Sequence, residues 1–145
     1  MIRRFCLPVA GLLSLAATAA PAQYDGPGPR IQQQGARVVS LSRLSDGDGC
    51  VPGNTQGRVV KRNFASNGMT LLNVIIETKD GSRELINIDE EQISKAIPSA
   101  QGVIVQGLQS LLKEGNQVVL RAFYCGAAGR VAMLESVRLQ GRPRR

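Results

Sequence analysis

The sequence predicts a mainly β domain of five strands, with one helical segment between the third and the fourth. Three observations lead there. Residues 70–78 place Leu72, Val74 and Ile76 in alternation with Asn73 and Glu77, the period of a half-buried strand. Two turn dipeptides, Asn67-Gly68 and Asp80-Gly81, separate that stretch from similar ones on either side. Only one segment has a clear helical spacing: Ile104, Leu108, Leu111 and Leu112 fall at i, i+4, i+7 and i+8.

Each element follows in chain order. Arg3 and Arg4 precede a mostly apolar run, and Ala20-Pro21-Ala22 offers small residues where a signal peptidase reads, so residues 1–22 are expected to be a cleaved export signal. Pro8 and Gly11 interrupt the run, which falls short of the roughly 20 apolar residues a membrane span needs. Removing it leaves 123 of the 145 residues, enough for one core, and takes Cys6 with it. It also lowers the formal charge from +7 to +5, because the leader carries two arginines and no acid.

Residues 23–36 combine Gly, Pro and polar side chains without periodicity and are expected to be a flexible linker. A single domain is expected over 37–140, with a basic tail at 141–145. Residues 37–44 fit a short helix or an irregular strand, and 45–57, with four glycines and Pro52, read as a loop pinned by Cys50. The first three strands are expected at 56–64, 70–78 and 83–88, the last two joined by a hairpin at Asp80-Gly81. Asp89 then caps a short helix that Pro98 stops, and Ser99 caps a second one, with Gly115 as its left-handed stop. The last two strands are expected at 116–125 and 130–139.

Three strands, a helix and two strands is the order of an OB-fold-like Greek-key barrel, five-stranded, with one helix between strands 3 and 4. In such a barrel the first strand closes antiparallel on the fourth. That brings Cys50, just before the first strand, beside Cys125 at the end of the fourth. Export implies an oxidising compartment, so a Cys50–Cys125 disulfide is expected, contributing roughly 3–5 kcal/mol on chain-entropy grounds.

Within residues 56–139, three stretches resemble the staphylococcal-nuclease family. Ile86-Asn87-Ile88-Asp89-Glu90-Glu91 is similar to the exit of its third strand. Residues 108–119 are similar to its helix and entry into the fourth, and Gly129-Arg130 to the pair that opens its last. The resemblance implies an OB-fold and, in active members, calcium-dependent catalysis in which the matching arginine, here Arg130, helps to hold phosphate. The catalytic set is not retained. Residues 61–68 carry no carboxylate where the family has a calcium-binding Asp-Gly-Asp turn. Asp89 matches its second carboxylate, but Gln92 stands where a glutamate would orient the water. Glu84 takes the place of the first phosphate-clamping arginine. Arg83 is one residue off and so on the opposite face.

Histidine is absent, which removes Ser-His-Asp and Cys-His catalysis and every His-containing zinc site. No phosphate-cradling glycine motif is present. Asp46-Gly47-Asp48-Gly49 lacks the further oxygens of a calcium loop, and Asp89-Glu90-Glu91 reads as a helix N-terminus, so neither a metal nor a cofactor is expected. Nucleic acid is disfavoured because the domain offers only Phe64, Phe123 and Tyr124 for stacking. Phe123 and Tyr124 have opposite parity, so at least one belongs to the core. The candidate ligand-binding residues are Arg58, Lys61, Arg62, Arg121 and Arg130, with Arg138 nearby on the last strand. The expectation is a periplasmic or secreted, noncatalytic binding module for an envelope protein or anionic ligand. The alternatives are a diverged metal-dependent nuclease or phosphodiesterase using Asp89, Glu91 and Arg130, and a structural envelope component.

Overall fold

Alternation of buried and exposed side chains builds seven strands: β1 (Arg30–Gln34), β2 (Arg37–Ser42), β3 (Val51–Phe64), β4 (Leu71–Thr78), β5 (Arg83–Asn87), β6 (Gln117–Cys125) and β7 (Val131–Leu139). Helices α1 (Glu90–Ala96) and α2 (Gln101–Leu111) lie between β5 and β6. The computed structural model describes residues 28–141, apart from Ile97. The expected export signal, the first part of the expected linker and most of the basic tail lie outside the described residues.

All seven strands join one sheet in the order β1-β2-β7-β5-β4-β3-β6, and β6 pairs also with β7. Pairing therefore runs from β3 through β4, β5, β7 and β6 back to β3. Every pairing is antiparallel except that of β5 with β7, which is parallel and consists of Asn87 opposite Met133. Inside the circuit stand Val59, Val74, Ile76, Ile86, Val118, Leu120, Ala122, Leu134 and Val137, all buried. The predicted helical face, Ile104, Leu108, Leu111 and Leu112, is buried against the same core.

The expectation of five strands with the helix between strands 3 and 4 is corrected: the described residues form seven strands, and the helical segment follows the fifth. The two added strands come first in the chain. Residues 30–34, expected within the linker, form β1, an edge strand whose polar Gln32, Gln33 and Gln34 hide its pattern; only Ile31 is buried. The ambiguous stretch from residue 37 is β2, held between β1 and β7. β3 begins five residues before the expected start of its strand, at Val51, because the supposed loop pairs with β6 from Val51↔Tyr124 to Arg58↔Gln117. Leu72 does not share the burial of Val74 and Ile76. It is 44% exposed, and Leu71 takes the core position where the β3–β4 register shifts at Asn63/Phe64.

Local details follow the turn chemistry. Asn67 Oδ1 accepts the N–H groups of Met69 and Thr70, at 2.9 and 3.0 Å, and Gly68 takes φ 68°. Asp89 Oδ1 accepts the Gln92 N–H at 3.0 Å, capping α1 as expected. Ser99 is not the cap of α2: residues 98–100 form a 3-10 turn, and the cap position is Ala100, without a side-chain hydrogen bond. The end of α2 is closed by Asn116, whose amide donates to the carbonyls of Ser110 and Leu111 at 2.9 and 3.1 Å.

Cys50 and Cys125 are disulfide-bonded, with Cα atoms 4.5 Å apart. With Val51 opposite Tyr124, the antiparallel register of β3 and β6 sets the two cysteines directly across from each other.

Candidate basic binding face

The five candidate cations occupy different environments. Arg58 lies on the outer side of β3, where its guanidinium meets Glu77 Oε1 at 3.2 Å; Arg83 binds the other oxygen of the same carboxylate at 3.1 Å. The two arginines hold the Glu77 carboxyl below the usual carboxylate range, the Arg83 hydrogen bond contributing most. Arg62 is half-buried. Its Nε has no hydrogen-bond partner among the described residues, and its guanidinium carbon stands 5.3 Å from the centre of the Phe64 ring. Lys61, Arg121 and Arg130 are exposed and join no ion pair among the described residues.

Strand register shows which of these share a surface. On β6, Arg121 alternates with buried Leu120 and Ala122 and so faces outward, flanked by Asn54 of β3 and Ser136 of β7. Two residues earlier on the same face, Val119 lies between Gln56 of β3 and Arg138 of β7. Arg138 is also exposed and outside any ion pair among the described residues. Arg121 and Arg138 are thus diagonal neighbours in a field of amides and a hydroxyl. At the adjoining end of this face, Gly57 and Arg58 pair with β4 on one side and β6 on the other. A cleft of about 960 Å³ opens there, lined among others by Gln56, Arg58, Lys79, Gln117 and Gln140. Arg62 and Arg130 do not belong to this face: one turns toward Phe64, the other precedes β7 at the far end.

The carboxylates of the nuclease-like stretch do not converge. Asp89 caps α1, Glu91 pairs with Lys95 at 2.6 Å, and Glu90 turns inward to accept the Leu71 N–H at 3.0 Å. Burial raises the pKa of Glu90, opposed by that backbone donor. Arg130 lies on the other side of the Asn87–Met133 bridge: β5 and β7 run parallel, Asp89 follows the bridge and Arg130 precedes it. Residues 47–50 form a tight turn, with the Cys50 N–H bonded to the Gly47 carbonyl at 2.9 Å. Gly47 lies against the Phe123 ring, where a Cβ would stand 2.4 Å from a ring carbon.

Glu84 and Arg83 do face opposite sides. Arg83 points outward to Glu77, whereas Glu84 accepts from the Tyr124 hydroxyl and, at 2.7 Å, from Thr55 Oγ1. Tyr124 packs against the core, and burial, together with the Glu84 hydrogen bond, raises its pKa. Sequence reasoning missed this Thr55–Glu84–Tyr124 cluster. The available signal was the core parity of Tyr124, whose hydroxyl needs a partner when buried. Compared with known protein families, with curated proteins and with solved structures, the chain matches none.

Proposed function

We propose that this chain is an exported, noncatalytic binding module built on an OB-fold-like Greek-key barrel, whose β3–β6–β7 outer face takes an anionic ligand. The observation that carries the reading is the diagonal pair Arg121 and Arg138, exposed and outside any ion pair among the described residues, beside a cleft edged by Lys79, three glutamines and the Arg58–Glu77 ion pair. Charges placed among amides give an anion both attraction and hydrogen-bond donors without competing carboxylates at the same register positions. The closed strand pairing and the disulfide make that face a rigid support. Export is supported by the leader and is compatible with the disulfide.

The rival phosphodiesterase reading requires Asp89, Glu91 and Arg130 to act on one phosphate, and their engagements and register separate them. Two assays on the purified exported form test the choice. Flotation with phosphatidylglycerol vesicles is expected to capture the protein, and phosphatidylcholine vesicles are not. Incubation with a single-stranded oligonucleotide and calcium is expected to leave the oligonucleotide intact; calcium-dependent cleavage lost in Asp89→Asn would defeat the proposal.

A further inference from the structure

The outer face of β3, β6 and β7 does not stop at β7. Ser40 of β2 lies opposite Arg138, and Gln32 of β1 lies opposite Ser40. Residues directly opposite in a ladder share a face, so Gln56, Val119, Arg138, Ser40 and Gln32 form one row across five strands. A second row runs beside it. It begins with Asn54, Arg121 and Ser136, continues to Ser42 on the same side of β2 as Ser40, and ends at Arg30, opposite Ser42. Burial agrees with this placement: Ile31 and Leu41, of the opposite parity, are buried, whereas Arg30 and Gln32 are exposed.

Arg30, like Arg121 and Arg138, joins no ion pair among the described residues. Three strand spacings from β6 to β1 set Arg121 and Arg30 about 14 Å apart, with Arg138 between them in the adjoining row. Glu135, next to Ser136 in the chain, turns to the Arg43 N–H at 3.3 Å. The loop that carries Asp46 and Asp48 bounds the field where Gly47 lies against Phe123. Apart from Val119, the side chains between the arginines are amides and hydroxyls, which accept hydrogen bonds as well as donate them. A bare carboxylate or phosphate needs donors alone. Acceptors beside the cations suit a ligand whose charges are interspersed with hydroxyl groups, and rows five strands long suit a chain of such units.

We infer that this face binds an acidic polysaccharide laid across the strands. Its carboxylates meet Arg121, Arg138 and Arg30, and its sugar hydroxyls bond to the amides and serines between them. The inference rests on the anion-binding reading of the same face and names the class of anion.

The probe is labelled polygalacturonate, compared with the galacturonate monomer, with neutral dextran and with polyacrylate, which has carboxylates but no hydroxyls. The polymer is expected to bind at least about a hundredfold tighter than the monomer, through simultaneous contacts, and dextran is expected not to bind. Arg30→Gln should weaken the polymer about tenfold, the worth of one charge-assisted hydrogen bond. Gln32→Ala with Gln56→Ala should weaken polygalacturonate and leave polyacrylate unchanged. Lys95→Gln removes a positive charge from α1, away from the rows, and should leave polygalacturonate unchanged. All four side chains are exposed, so these variants should keep the wild-type urea midpoint. Capture by phosphatidylglycerol vesicles without binding of polygalacturonate would overturn this inference alone; failure of both would overturn the reading beneath it. Unchanged affinity in Arg30→Gln, equal loss in Lys95→Gln, or a glutamine variant that weakens both polymers alike or neither would also overturn it.

Discussion

Asp80 shows how one side chain can set a turn and its pH range. Its carboxylate accepts from the Thr78 hydroxyl, from Ser82 Oγ at 2.7 Å and from the Ser82 N–H at 3.1 Å, and these donors lower its pKa from 3.8 to about 2. A depressed folded-state value stabilises the turn above the ordinary carboxylate pKa. That contribution is lost as pH falls through about 2. The Ser82 amide resonance should therefore shift with a midpoint near 2, and Asp80→Asn should abolish the shift. Glu90 behaves in the opposite sense. Its folded pKa is raised by burial at 7% exposure, so its charge costs stability once pH climbs through the carboxylate range. Glu90→Gln keeps an acceptor for the Leu71 N–H and should raise the melting midpoint at neutral pH, the gain vanishing on acidification. Glu90→Ala leaves that donor unpaired and should cost about 1–3 kcal/mol in urea unfolding. Asp80-Gly81 was legible as a turn from two letters. The inward fate of Glu90 was not, because nothing in Asp89-Glu90-Glu91 distinguishes the acid that meets β4 from its exposed neighbours.

At the scale of elements, β3 carries the constraint that shapes the face. It pairs with β4 and β6 at once around Gly57, where a Cβ would stand 2.2 Å from the Glu77 carbonyl oxygen. Backbone cannot yield there, so Gly57→Ala should cost at least about 2 kcal/mol in urea unfolding. Gly102 in α2 has nothing within 4 Å of its would-be Cβ, and Gly102→Ala should stabilise by up to about 1 kcal/mol. If both variants unfolded alike, the close approach at Gly57 would be wrong. Elements with a strong period were legible: the α2 face, β6 and the β4–β5 hairpin lie where the alternation and turn residues put them. β1 was not, since an edge strand that buries only Ile31 has no alternation to read. The early start of β3 was hidden likewise, because Pro52 and Gly53 are loop residues by composition and strand residues only through β6.

For the whole molecule, the disulfide fixes the junction of β3 and β6 across a sequence separation of 75. Replacing both cysteines by serine should cost roughly 3–5 kcal/mol, read as a lower urea midpoint. The cysteine pair was legible because the expected strand order brought its positions together. The basic face was legible only in part. Arg121 was recognisable as an outward residue of a strand, but the sequence could not show that Glu77 engages Arg58, that Phe64 lies by Arg62, or that Arg138 completes the pair. The proposed role of this face is to recognise anions. Its most direct test is a titration of phosphatidylglycerol vesicles with the wild-type chain and with the Arg121→Glu, Arg138→Glu double variant, repeated at increasing salt. Binding is expected to weaken with salt and to be lost in the folded, disulfide-bonded double variant. Unchanged affinity in that variant, or equal affinity for phosphatidylcholine, would contradict it.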